Sequence, residues 1–250
     1  DGNDCFNELS ALCLEVSREL KVIDPKINLR VSKNTPIDIY EKGTELTKAG
    51  LGFPQYSNDD VVIDALVAHG YDRGDAVNYV VAACWEFIIP DCGNDVANIG
   101  ALNFPKMVDS AIREYEGDSF DELMGLVGEK ISAECDRITE SVKDLWFVPS
   151  PFMSILRDAT KYNNFGIHGC GIASATDSLA AVKKHVFGGK IDRQRLICAL
   201  DSNFENDPEL LHMIRYETPK LGDGTSKDTR KISTALLDIF SSALKGKKNC

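Results

Sequence analysis

Long apolar runs, basic clusters and targeting signals are all scarce in this chain of 250 residues. No apolar stretch approaches the ~20 residues that a membrane-spanning helix needs, so no membrane association is expected. The first residues lack a basic segment followed by an apolar one, so no signal peptide is expected there. A formal charge of −11 argues against nucleic acid and anionic membranes as partners. We therefore expect a cytoplasmic protein.

Metal-binding and disulfide patterns are also missing. The eight cysteines include no Cys-x-x-Cys pair, and the four histidines are far apart, so no metal site is predicted. Scattered cysteines without a secretory signal are typical of free thiols in a reducing compartment. The glycines of residues 222–226 do not form a phosphate-binding loop, because the Gly-Lys-Ser/Thr ending is missing. An initial Met is missing too, which leads us to expect a piece of a longer polypeptide.

Apolar periodicity predicts a chain rich in helices, with few strands. A first helix is predicted after Asp4 as its N-cap, and a short strand around Leu29. Further helices are predicted at residues 36–49, 58–70, 73–77, 107–115, 119–145, 154–160, 176–186, 192–200, 208–215 and 228–244. Residues 51–58 are predicted to be a loop, either functional or a buried connector, and residues 162–171 a polar loop or bent strand.

Residues 78–105 place a thiol and a carboxyl inside apolar sequence. The stretch begins with β-forming residues, and Glu86 follows Cys84 by two positions. In an extended chain, side chains i and i+2 point the same way, so Cys84 and Glu86 are predicted to face one cavity while Trp85 faces away. Burial would raise the pKa of the carboxyl towards values useful for proton transfer. It would also keep the thiol protonated, which suits a donor of a hydrogen atom and not a nucleophile.

Each of these residues also has a purely structural interpretation. Cys84 can be an ordinary core residue, since free cysteine is among the most buried residue types. Glu86 can be paired with a lysine or arginine from elsewhere in the chain, because an unpaired buried carboxylate is costly. His168, in the polar segment of residues 162–171, can be a structural histidine and not an acid or base.

Six segments together resemble glycyl radical enzymes of the pyruvate formate-lyase superfamily, in the branch of dehydratases, lyases and decarboxylases. The segments are SKNTP from Ser32, LTKAGLGFPQYSNDDVVI from Leu46, AACWEFIIP from Ala82, NIGALNFPK from Asn98, YNNFGIHGCG from Tyr162 and ATDSLAAVKK from Ala175. They come in the family's order and extend over nearly the whole chain.

The resemblance implies roles for particular residues. Cys84 matches the cysteine that becomes a thiyl radical, and Glu86 matches the carboxylate that serves as general base in the eliminating members. Asn98, Trp85 and His168 are the candidate substrate-binding residues. Some dehydratases have aspartate where Asn98 stands, and the better-known ones have valine in place of Trp85. Cys84 has no adjacent cysteine, which disfavours the acyl transfer of formate acetyltransferases.

The family's fold is a ten-stranded α/β barrel of two antiparallel five-stranded halves, with the cysteine loop inside. We expect residues 1–250 to form a helix-rich part of that barrel, with the cysteine loop at residues 79–105. The Arg-Val-x-Gly-Tyr motif that carries the glycyl radical does not occur in the sequence, so the glycyl radical domain is expected to be absent. The radical would come from a segment outside this chain, installed by a radical-SAM activating enzyme.

The expected function is that of a glycyl radical lyase fragment in anaerobic metabolism. A thiyl radical would start cleavage of a C–O, C–N, C–S or C–C bond in a small organic substrate, and this chain alone would be inactive. A homodimer is one possible assembly of the full enzyme. The alternative from another class is a non-catalytic remnant, kept as a structural or interaction module.

Overall fold

Short strands and longer helices alternate in the computed structural model, which describes residues 6–22, 24–82, 85–90, 92, 96–144, 161–162, 164–224 and 226–248. The chain divides into two compact units. Unit 1 comprises residues 1–97 and 148–164, and unit 2 comprises residues 98–147 and 165–250. Cys84 and the helix predicted at residues 154–160 lie outside the described residues.

The described part of unit 1 contains four helices and two small sheets. The helices are α1 (Glu8–Leu20), α2 (Ile37–Lys48), α3 (Asp59–Ala68) and α4 (Arg73–Ala76). The strands are β1 (Asn28–Val31), β2 (Gln55–Asn58), β3 (Val80–Ala82) and β4 (Glu86–Ile88). β1 and β2 are parallel, whereas β3 and β4 are antiparallel.

Side-chain caps fix where the helices of unit 1 begin. The Asn58 side chain accepts the amide N–H of Asp60, and the acidic first turn of α3 suits the positive end of the helix dipole. The Asp72 side chain caps α4 in the same way, through the amide of Gly74.

The described part of unit 2 is mostly helical. Its helices are α5 (Phe104–Glu114), α6 (Phe120–Ser141), α7 (Ile172–Ala181), α8 (Arg193–Asp201), α9 (Pro208–Tyr216) and α10 (Lys227–Leu244). Strand β5 (Val96–Asn103) begins at the end of unit 1 and continues into unit 2, where it pairs with β6 (Phe165–Cys170). Helices α5 and α10 both pack against α6 and α7. Their core includes the fully buried side chains of Leu102, Phe104, Val127, Ile131, Leu179 and Leu236.

The prediction of a loop at residues 51–58 is wrong for its second half. Residues Gln55–Asn58 form β2, which pairs with β1 in parallel register from Asn28 opposite Gln55 to Val31 opposite Asn58. Four residues are too short a window for periodicity to separate a strand from an ordered loop. The partner strand, and not the local sequence, decides this conformation.

The predicted start of the first helix is also corrected. Helix α1 begins at Glu8, and its N-cap is Asn7; Asp4 lies outside the described residues. The Asn7 side chain accepts the amide of Ser10, and the Ser10 hydroxyl accepts the amide of Asn7, so that both residues form a capping box. The usual sequence pattern of a capping box has Glu or Gln at the third helical position, so a box with Ser10 there was not recognised from the sequence.

The helix predicted at residues 176–186 begins earlier and changes type. It begins at Ile172, directly after Gly171, whose φ of 76° is a left-handed conformation that favours glycine. Its last turn, Val182–Val186, is π-helical. The helix predicted to extend towards Leu145 ends at Ser141, and β5 was not predicted.

The prediction of a helix-rich chain with few strands is confirmed for the described residues. The six helices that follow α4 in the described residues, α5 to α10, each overlap a predicted helix and differ from it by a few residues at their ends. Helix ends are commonly uncertain by one or two residues. Within the described ranges, no helix is both long and apolar enough to cross a membrane.

Candidate functional site

A tight antiparallel hairpin carries the carboxylate predicted to be catalytic. Strands β3 and β4 pair Val80 with Ile88 and Ala82 with Glu86. The chain therefore reverses direction between Ala82 and Glu86, and Trp85 lies in the turn. The strand predicted to begin this stretch is present as β3. The prediction that Cys84 and Glu86 face one cavity involves a residue outside the described ones and stays a prediction.

Glu86 is the first residue of β4 and is half-buried. Its Oε2 atom accepts a hydrogen bond from the backbone amide of Trp85 at 2.8 Å. The Trp85 side chain is 57% exposed. The amide contact orients the Glu86 carboxylate at the turn end of the hairpin, where Cys84 precedes it by two residues in the sequence.

An apolar cluster lies under the hairpin. Tyr79 is fully buried, and its ring packs edge-on against Phe87 of β4 with the centroids 5.5 Å apart. Ile89 is buried in the same cluster, which α3 and α4 complete through Ile63, Leu66 and Ala76. The strand residues on either side of the turn are thus attached to the helices of unit 1 by burial of apolar surface.

The Arg30 guanidinium binds the residues at the start of the hairpin through hydrogen bonds. The Arg30 guanidinium makes two bonds to the Asp59 carboxylate, Nε to Oδ1 and Nη2 to Oδ2, both at 2.9 Å. Arg30 also donates to the backbone carbonyls of Val77 at 3.0 Å and Tyr79 at 3.1 Å. A planar guanidinium can satisfy all these acceptors at once, which an ammonium group cannot. β1, α3 and the segment entering β3 are joined through this one side chain.

The Tyr79 hydroxyl completes this group. It donates to Asp59 Oδ1 at 2.6 Å. Burial raises the pKa of Tyr79 above its usual value, and the bond to Asp59 raises this pKa further. Tyr79 therefore remains neutral and remains a donor at any physiological pH.

A second polar cluster is centred on Asp75 of α4. Its Oδ2 atom accepts from the Lys161 ammonium and, at 2.6 Å, from the Tyr162 hydroxyl. Its Oδ1 atom accepts from the Cys92 thiol at 3.6 Å. The bond from Lys161, followed by that from Tyr162, lowers the pKa of Asp75 below its usual value. Asp75 is thus held as the carboxylate that these three donors require.

The Tyr162 hydroxyl also accepts the amide N–H of Asp72 at 2.8 Å. The rings of Tyr162 and Tyr71 are in contact, with centroids 4.4 Å apart, and the Asn164 side-chain amide donates to the Tyr71 hydroxyl at 2.6 Å. Tyr162 and Asn164 are therefore joined to the residues around α4. The sequence predicted residues 162–171 as a motif but not the contact of Tyr162 with Asp75. The acidic residues at positions 72 and 75, together with the basic Lys161, were the only signs in the sequence that these segments could pair.

Asn98 and His168 lie in unit 2. Asn98 is exposed on β5, and His168 is half-buried on β6, so the two candidate substrate-binding residues belong to paired strands of one sheet. Trp85 and Glu86 belong to unit 1. Among the described residues, no three His, Cys, Asp or Glu side chains are placed to hold a metal ion.

Several known proteins with a similar sequence or structure are dehydratases. The chain is 29% identical to trans-4-hydroxy-L-proline dehydratase of Clostridioides difficile, over 89% of this chain and 33% of that protein. The solved structure of hydroxyproline dehydratase from that organism matches with a TM-score of 0.85 at 25% identity, covering 100% of this chain and 36% of that chain. B12-independent glycerol dehydratase of Clostridium butyricum matches with a TM-score of 0.82 at 26% identity, covering 99% and 36%.

The chain spans about a third of the length of these relatives. Within that third the similarity extends over almost every residue, and the family model for pyruvate formate lyase-like proteins matches residues 1–250. The resemblance found in the six sequence segments is thereby confirmed. The chain belongs to the pyruvate formate lyase-like family.

Proposed function

We propose that this chain is the cysteine-bearing part of a glycyl radical lyase of the dehydratase type, which acts on a small hydroxylated organic compound. The observation that carries the proposal is the position of Glu86. It is a half-buried carboxylate at the turn of a hairpin, oriented by a backbone amide and separated from Cys84 by one residue. The dehydratase activities of the similar proteins support cleavage of a C–O bond first, with C–N, C–S and C–C bonds as the wider class.

The reaction needs a hydrogen-atom acceptor and a base side by side. The Cys84 sulfur radical takes a hydrogen atom from a substrate carbon that bears a hydroxyl or an amine, so that a C–H bond breaks and an S–H bond forms. Glu86 takes a proton from that hydroxyl or amine, which makes the substrate radical a better electron donor. The hydroxyl on the neighbouring carbon then leaves and departs as water with the proton returned by Glu86. Cys84 finally gives its hydrogen atom back to the product radical.

These steps conserve atoms and electrons, and each residue ends in its starting state. Assistance by a general base such as Glu86 is typically worth ~10²–10⁴-fold in rate. A backbone glycyl radical, installed by a radical-SAM activating enzyme, would supply the unpaired electron. We place that glycine on a segment outside the 250 residues, because these contain no Arg-Val-x-Gly-Tyr motif. Asn98, Trp85 and His168 are proposed to contact the substrate, in a cytoplasmic enzyme with the cysteine loop inside the barrel.

The test uses the radical-activated enzyme that contains this chain, under anaerobic conditions. The probe compounds are trans-4-hydroxy-L-proline, glycerol and indoleacetate, which represent a hydroxy-amino acid, a polyol and an arylacetate. The first two test C–O cleavage, and indoleacetate tests the C–C cleavage of the wider class. We expect Cys84→Ala to abolish turnover, and Glu86→Gln to reduce kcat by ~10²–10⁴-fold with the probe still bound. The matched control is Glu15→Gln at an exposed position of α1. Turnover of a probe by the Cys84→Ala enzyme at the unaltered rate would exclude the proposal.

The chain by itself is expected to have no lyase activity. Electron paramagnetic resonance after activation with S-adenosylmethionine should show no glycyl doublet from residues 1–250. Addition of a polypeptide that carries the glycyl radical motif should restore both the doublet and turnover. A doublet and turnover from the chain alone would contradict this expectation.

A further inference from the structure

The contact between Asp75 and Cys92 closes the segment that carries the proposed reacting groups. Asp75 precedes β3 and Cys92 follows β4, and the two residues are 17 positions apart in the sequence. The hairpin with Cys84 and Glu86 lies between them. A bond at the base of a segment removes conformational freedom from everything within it. Asp75 thus constrains both ends of this segment at one point.

The same carboxylate also holds residues far away in the sequence. Lys161 and Tyr162 are 86 and 87 positions from Asp75. Three donors from two other segments therefore converge on one side chain of α4. A carboxylate suits this position because both of its oxygens accept, and each can accept more than one bond. An asparagine has one acceptor oxygen and would turn N–H donors towards the Lys161 ammonium or the Cys92 thiol.

We propose that Asp75 is a positioning residue of the radical reaction, which fixes the segment that carries Cys84 and Glu86. This inference rests on the proposed function. Its physical reason is that hydrogen transfer and proton transfer require two groups in fixed positions relative to one substrate. A misplacement of about 1 Å can reduce such a rate ~10²-fold.

The Asp75 cluster positions the hairpin but adds little to the free energy of folding. The Lys161 side chain is 52% exposed, and ion pairs at such positions stabilise proteins little. Burial of Tyr79 and Ile89 in the apolar cluster attaches the hairpin to unit 1 independently of Asp75. Loss of the carboxylate should therefore leave a folded protein whose hairpin is less firmly held.

The test compares Asp75→Asn and Tyr162→Phe with a matched control in the radical-activated enzyme that contains this chain. The control is Asp64→Asn, which removes a carboxylate of α3 from its exposed ion pair with Arg73. The probe substrate is trans-4-hydroxy-L-proline. We expect kcat per glycyl radical to fall about 10-fold to 10²-fold in both variants. KM and the radical yield should stay within about twofold of the control.

A second readout requires no turnover. Hydrogen exchange at the amides of Glu86–Ile88 should be several-fold faster in Asp75→Asn and Tyr162→Phe than in Asp64→Asn. Unchanged exchange together with an unchanged kcat per radical would overturn the inference, as would a loss confined to the yield of folded enzyme. Full turnover by Cys84→Ala would overturn the proposed function instead; the exchange measurement would still report whether Asp75 holds the hairpin.

Discussion

The guanidinium carbon of Arg30 lies 4.1 Å from the centroid of the Tyr79 ring, while both side chains bind the carboxylate of Asp59. Stacking, an ion pair and a hydrogen bond therefore coincide in one cluster. Asp59 also stands in the first turn of α3, where the helix dipole favours a negative charge. A cation from β1 thus connects a helix start to the strand that enters the hairpin.

Removal of the Tyr79 hydroxyl tests this cluster. Tyr79→Phe deletes the bond to Asp59 but keeps the buried ring and the pair between Asp59 and Arg30. We expect the free energy of unfolding to fall by about 1.5–3 kcal/mol, the usual range for a bond to a charged group. Urea unfolding measures this change. Tyr216→Phe, at a side chain that is 73% exposed, should change it by less than about 0.5 kcal/mol, and equal effects would contradict the assignment.

Two glycines of unit 2 should respond oppositely to alanine. A Cβ at Gly100 of β5 would lie 2.6 Å from Ile138 Cγ2 of α6, so Gly100→Ala should cost about 1–3 kcal/mol. Gly125 lies on the exposed side of α6 with no atom within 4 Å of its Cβ position. Gly125→Ala should stabilise by roughly 0.5–1 kcal/mol. The measurement is the thermal unfolding temperature of each variant relative to the unaltered protein. A lower unfolding temperature for Gly125→Ala would contradict the expectation.

Cys135 should resist alkylation. It is fully buried in α6, and burial raises the pKa of its thiol to about 11. At pH 8 roughly one thiol in a thousand would be ionised, and the thiolate is the reactive form. Mass spectrometry after iodoacetamide treatment should find Cys135 unmodified in the folded protein and modified in urea. The exposed Cys198 is the internal comparison, and labelling of Cys135 as fast as Cys198 would show that this part of the core is open.

His185 should make the protein less stable in acid. It is fully buried, lines a cavity of about 220 Å³ and lies 2.9 Å from the Thr218 hydroxyl. Burial lowers the pKa of His185 below its usual value, and nearby Lys190 and Lys184 lower it further. The unfolded chain therefore binds a proton that the folded one excludes, so stability is retained above about pH 6.5 and falls as the pH decreases below it.

The measurement is the free energy of unfolding between pH 7 and pH 5 in the His185→Gln variant. As the pH is lowered, the free energy of unfolding should decrease less steeply in this variant than in the unaltered protein, by up to ~1.4 kcal/mol per pH unit. His212→Gln, at an exposed histidine, is the control and should keep the original slope. An unaltered slope in His185→Gln would show that another group causes the acid sensitivity.

Local sequence was sufficient for most helices, because their determinants lie within a few residues. The polar caps at Asn58 and Asp192 and the Ser119 cap of α6 mark helix starts that the structure confirms. The apolar positions of α6 repeat with the helical period, and Val127 and Ile131 are fully buried. Helix existence was therefore predictable, whereas exact ends depended on neighbours that the sequence does not show.

Contacts between distant residues were beyond the same reasoning. Arg30 and Asp59 are 29 positions apart, and Asp75 and Lys161 are 86 apart, so no local pattern pairs them. The turn between Ala82 and Glu86 was missed for a related reason, since apolar residues continue through it. Family resemblance identified Cys84 and Glu86 as candidates; their role as a pair stays a prediction.

The pairing of Ala82 with Glu86 makes the length of the intervening segment as important as its composition. Side chains alternate between the two faces of a hairpin, so a shift of the pairing by one residue would move Glu86 to the opposite face. Insertion or deletion of a single residue between Ala82 and Glu86 should therefore displace the Glu86 carboxylate, although no side chain of β3 or β4 is substituted. A substitution changes one group at this position, but a change of length would change the direction in which the whole of β4 presents its side chains.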